Sequence, residues 1–120
     1  MSGAAQGSRQ AERAAEMLAG FVEGSPELRE AAIFAPDGTQ LFSTRDADRA
    51  ELATRLWEAA GPIEAPLAQL HIGTGDGEVL AVRSAAGSAI AVSGRFPLAS
   101  LVFSDLRAVL RELGPGPGAA

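Results

Sequence analysis

Residues 70–93 read LHIGTGDGEVLAVRSAAGSAIAVS, and the fold turns on them. Three short apolar runs, Leu70–Thr74, Glu78–Arg83 and Ser88–Ser93, are separated by two glycine-bearing breaks, Gly75-Asp76-Gly77 and Ala85–Gly87. Runs of this length bounded by such breaks predict a three-stranded meander. Successive strand residues point to opposite sides. Ile90 and Val92 therefore share one face, and Ala89 and Ala91 the other; Val79 and Ala81 oppose Leu80 and Val82 in the same way. Both faces of the sheet are apolar, so both must be covered.

Outward from the meander, the covering elements are legible. On the C-terminal side Pro97 opens an amphipathic helix carrying Leu98, Leu101, Val102, Leu106, Val109, Leu110 and Leu113, which Gly114 stops. The Gly-Pro repeat from Gly114 to Gly118 predicts an unstructured tail, residues 114–120. On the N-terminal side Asp46–Ala60 has helical spacing, with Leu52, Ala53, Leu56, Trp57 and Ala60 in one stripe. Asp48, with Glu51 three residues on, predicts a capping box, and Gly61-Pro62 ends or kinks the helix. Ile63–Ala68 has room for one more helical turn, limited by Pro66.

Further upstream, Ala31–Ala35 and the segment around Leu41 and Phe42 flank Pro36-Asp37-Gly38 and read as a hairpin. Ala11, Ala14, Ala15, Leu18, Phe21 and Val22 give a first helix from Ser8, closed by a turn at Gly24-Ser25-Pro26; residues 1–7 are expected to fray. The expectation is one α+β domain over residues 8–113, in the order α-β-β-α-β-β-β-α, with a five-stranded, mostly antiparallel sheet. Three helices on one copy cover one sheet face well and the other thinly. A second copy of the chain would hide the remainder.

Composition narrows the function. The chain has 120 residues, 47% hydrophobic and 21% charged, a globular balance. It has no cysteine, which excludes disulfides, thiolate metal sites and a cysteine nucleophile. All 10 basic residues are arginine, so no phosphate-binding or Schiff-base lysine exists. A net charge of −5 argues against nucleic acid. The absence of an apolar leader or a long apolar run makes the cytoplasm the expected location, without membrane insertion.

The candidate chemical groups have plain structural readings. His71 is the only histidine and has no cysteine or second histidine to join it on a metal; a strand position accounts for it. Gly73-Thr74-Gly75-Asp76-Gly77 precedes a strand and lacks the Gly-Lys-Ser/Thr of a phosphate loop. Asp37, Asp46, Asp48 and Asp76 suit turns and caps, not a calcium loop. Ser93 or Ser100 with His71 would make a hydrolase only with further geometry that the sequence does not supply. No metal or cofactor is expected. Trp57 is a core residue by spacing and an interface anchor by type.

The hairpin AAIFAPDGTQLFST, residues 31–44, followed by HIGTGDGEVLAVR and SAIAVSG, resembles the roadblock family of dynein-light-chain and bacterial GTPase-regulator domains. The resemblance covers about Ala11–Leu113. It implies a non-enzymatic homodimer, or a heterodimer with a related chain, that binds or regulates a Ras-like small GTPase. It further implies a pairing edge at Leu70, His71, Ile72, Gly73 and Thr74, with Trp57 and Leu56 from the second helix beside it. Arg49, Arg55 and Glu58 on that helix would face the partner. Gly61-Pro62 departs from the family's longer unbroken helix. The rival reading is a small-molecule sensor of the PAS, GAF or profilin-like type; the Ala- and Leu-rich core favours the interaction module.

Overall fold

The computed structural model describes residues 2–62, 65–73, 75–94 and 97–114, with side chains from Arg9 onward. Its elements are α1 (Ser2–Gly24), β1 (Leu28–Phe34), β2 (Gln40–Ser43), α2 (Ala50–Ala60), β3 (Ala68–Gly73), β4 (Glu78–Ser84), β5 (Gly87–Ser93) and α3 (Ala99–Leu113). The expected order of elements holds. The strands form one sheet in the order β2-β1-β5-β4-β3, and every neighbouring pair is antiparallel.

The layers follow from the two apolar sheet faces. Ala31, Ile33, Leu80, Val82, Ala89 and Ala91 face α1 and α3, which contribute Ala14, Leu18, Val102, Leu106, Val109 and Leu110 to the larger core. Ala32, Phe34, Ala81 and Ile90 face α2, which contributes Ala53 and Leu56 to the smaller one. Two helices thus cover one side and a single short helix the other.

The turns form where glycine and proline placed them. Leu28 N–H donates to the Ser25 carbonyl at 2.9 Å, closing the turn after α1. Gly38, with φ of +92°, donates to the Ala35 carbonyl at 2.9 Å, and the Asp37 carboxylate accepts from Thr39 N–H at 2.9 Å. That backbone donor holds the Asp37 carboxyl below its ordinary value.

Five element starts differ from the sequence reading by two residues or more, among them β3, which begins at Ala68 instead of Leu70. The first helix begins at Ser2, before the expected Ser8, because Ala4, Ala5 and Gln6 are compatible with continued helix. β1 begins at Leu28 instead of Ala31. Its pairing with β5 shifts register between Leu28 and Glu30, and this bulge puts Leu28 in the larger core although Arg29 and Glu30 break the apolar run. α2 begins at Ala50, not Asp46. The Gln40 side-chain amide donates to the Ala47 carbonyl at 3.0 Å and accepts from Arg49 N–H at 2.7 Å, holding residues 47–49 as a loop. Asp48 accepts from Ala50 N–H at 2.9 Å, but Glu51 pairs with Arg55 at 2.7 Å instead of closing a capping box. α3 begins at Ala99, where the Leu98 carbonyl accepts from Leu101 and Val102 at 3.0 Å each, so Pro97 lies just ahead of the helix.

Gly61, with φ of +77°, ends α2 as Gly61-Pro62 suggested. The extra helical turn expected at Ile63–Ala68 is not formed at Ala65–Leu67, which bend, and Ala68 already opens β3; Ile63 and Glu64 lie outside the described residues. Thr74 and the tail beyond Gly114 also lie outside them.

Candidate interaction surface

An edge strand has one row of unpaired backbone donors and acceptors. The sheet has two edges. β2 is only four residues long and runs into Arg45, features that discourage further pairing. β3 is six residues long, AQLHIG, and carries no proline and no lysine, arginine, aspartate or glutamate. It pairs with β4 alone, from Ala68 opposite Arg83 to Gly73 opposite Glu78. Its outer half is open: Ile72 is 38% exposed, and His71 and Gly73 are exposed.

Alternation splits the side chains of this edge. Leu70 and Ile72 stand opposite Ala81 and Val79 and so share the α2 face. Their neighbour on that face is the thinly covered layer under α2. His71 points the other way. Its ring meets Phe103 of α3 edge-to-face with centroids 6.1 Å apart, and its Nε2 lies 2.6 Å from Glu78 Oε1. Gln69 likewise turns to α3 and accepts from Arg107. His71 thus belongs to the edge by its backbone, while its side chain faces α3.

On α2 the expected residues separate by depth. Leu56 is 8% exposed and packs against Ala32, Phe34, Ala81 and Ile90, so it turns inward and supports the surface from below. Leu52, 38% exposed, is the apolar member that reaches outward. Arg55 and Glu58 are exposed, Arg55 paired with Glu51 on its own helix. Arg49 is committed to the sheet: its guanidinium lies 3.0 Å from the Glu30 carboxylate, which also has Arg45 at 3.9 Å. The Glu30 side chain is only 12% exposed, so this pair anchors the start of α2 to β1.

Trp57 is half-buried beside the smaller core, and the Arg83 guanidinium lies over its ring, 4.5 Å from the centroid. Arg83 was not among the residues singled out from sequence. Strand alternation with Val79 and Ala81 was the available signal, since it puts all three on the α2 face.

No catalytic arrangement joins the remaining candidates. Ser93 is fully buried, and its hydroxyl donates to the Gly94 carbonyl at 2.8 Å. Ser100 is exposed at the start of α3. Among the described residues no cluster of three or more metal-ligating side chains occurs.

Neither protein-family models nor curated protein sequences match the chain. Solved structures do. A Roadblock/LC7 domain from Streptomyces avermitilis superposes with a TM-score of 0.65 at 14% identity, over 82% of this chain and 92% of its own. The chain has a roadblock-like fold. A second Roadblock/LC7 domain structure from the same organism gives a TM-score of 0.59 at 19% identity, over 81% and 94% of the two chains. At these identities the likeness to the roadblock domains is one of fold, and it agrees with the resemblance carried by residues 31–44 and 71–94.

Proposed function

We propose that this roadblock-like chain is a non-enzymatic protein-interaction module of the cytoplasm. It pairs through β3 with a second copy of itself or a related chain, and the joined α2 helices present a surface to a Ras-like small GTPase. One observation carries the pairing: β3 is an uncharged edge strand that shows Leu70 and Ile72 on the same face that α2 covers alone. Pairing two such edges continues the sheet and removes both exposed rows of backbone groups. Arg55 and Glu58 point outward from α2 and are the contact residues of this reading; Arg49 contributes by fixing the helix to Glu30. Among the described residues no helix is long and apolar enough to cross a membrane, which fits the proposed location.

Ile72→Arg tests the pairing. It places an unpaired charge in the proposed interface, a cost of several kcal/mol when buried. Light scattering is expected to give a dimer mass for the parent chain and a monomer mass for the variant, with unchanged far-UV circular dichroism. A variant that stays dimeric removes β3 from the interface. Capture of a GTPase from the source cell, compared with GTP and with GDP, tests the partner. Equal failure in both nucleotide states counts against a GTPase.

A further inference from the structure

The α2 face contains a cleft that no β3 residue lines. It lies between the C-terminal half of α2, the β1–β2 turn and the β4–β5 turn, with a volume of about 220 Å³. Phe34, Pro36, Trp57, Arg83, Ser84 and Ser88 line it. Its walls combine an apolar floor with donors. Arg83 lies on the indole face, and among the described residues no carboxylate lies within 4.0 Å of its guanidinium. Trp57 Nε1 is buried and has no acceptor among the described residues.

We infer that this cleft receives a single acidic side chain from a protein partner, held by Arg83 against Trp57. Two features select this occupant. A guanidinium is a fork of N–H donors that matches a carboxylate, and the ring beneath it limits the orientations it can take. The volume falls below the ~300–1,000 Å³ of sites for drug-sized ligands and suits one side chain. The inference rests on the reading of the chain as an interaction module, but it does not require dimerisation.

The test uses the full chain on an array of blocked heptapeptides with a central glutamate between randomised positions, beside a matched array with central glutamine. The strongest binders are then titrated in solution. Trp57 is the only tryptophan and the chain has no tyrosine, so emission reports directly on the cleft. Glutamate peptides are expected to bind at least about tenfold tighter than their glutamine counterparts, with a saturable change in Trp57 emission. Arg83→Gln levels the two sets. Arg83→Lys, which keeps the charge but loses the fork, binds at an intermediate level. Circular dichroism verifies that both variants fold. Equal binding of both peptide sets, or unchanged preference in folded Arg83→Gln, overturns the inference. Sodium acetate that matches the peptides in affinity overturns the protein source and leaves a free carboxylate as ligand. A chain that is monomeric by light scattering yet selects glutamate sinks the dimer and not this cleft.

Discussion

Leu56→Ala tests the idea that α2 is held to the sheet by very little. Leu56 and Ala53 are the only α2 residues in the buried core under it, and Trp57 and Ala50 pack at its margin. Truncating a buried leucine costs about 2–5 kcal/mol, more where the surroundings cannot close the cavity. Here the helix has solvent on its far side and can settle inward, so the lower half applies, about 2–3 kcal/mol. For a chain of this length each kcal/mol moves Tm by about 4 °C, which gives a drop of about 10 °C. Urea unfolding followed by Trp57 emission and by far-UV circular dichroism measures the loss, at several protein concentrations because association adds to apparent stability. Leu52→Ala on the same helix is the control. Leu52 is 38% exposed and is expected to cost under about 1 kcal/mol. A Leu56→Ala loss no larger than that of Leu52→Ala refutes the reasoning. If α2 detaches before the sheet melts, the Trp57 transition precedes the circular-dichroism transition in the variant.

Gly87→Ala and Gly38→Ala separate backbone strain from collision. Both glycines have positive φ, but a Cβ at Gly87 would lie 2.2 Å from the Phe34 carbonyl oxygen, while one at Gly38 meets nothing within 4 Å. Thermal melts are expected to show a loss of about 2–4 kcal/mol at Gly87 and about 1 kcal/mol at Gly38; the reverse order would defeat the account. Asp105 of α3 has its carboxyl pushed above the ordinary 3.8 by burial. A group whose pKa is raised on folding favours the fold below its unfolded pKa and loses that advantage as pH rises through the folded value. Asp105→Asn is therefore expected to raise Tm at pH 7 and to raise it less at pH 3, and equal gains at both pH values would contradict the burial cause.

The parts of the fold that local chemistry decides were legible in the sequence. Pro36-Asp37-Gly38, Gly75-Asp76-Gly77 and Gly61-Pro62 each carry their own turn or stop, and the meander strands stand close to where their apolar runs placed them. What the sequence hid depends on partners distant along the chain. The start of β1 lies under Arg29 and Glu30, and only its pairing with β5 and the bulge there make it a strand. The start of α2 is set by Gln40, ten residues upstream of Ala50. The surface residues divide in the same way. Helical spacing put Leu52, Leu56 and Trp57 in one stripe but could not say which member the sheet would bury. Strand alternation could have separated His71 from Ile72, since they are neighbours and must face opposite sides. The Arg83–Trp57 stack joins a strand to a helix, and neither local pattern contains it.

The seam between β1 and β5 bears on how the chain is made. Leu28 pairs with Ser93 and Phe34 with Ser88, so β1 is joined to the central strand β5 only after about 60 further residues have been added. At ~5–20 residues per second, a ribosome leaves β1 without its inner neighbour for several seconds. Throughout that interval β1 has only β2 beside it, and Ala31, Ala32, Ile33 and Phe34 form a sticky ribbon on the nascent chain. Such remote pairing also slows refolding relative to a fold built from local contacts.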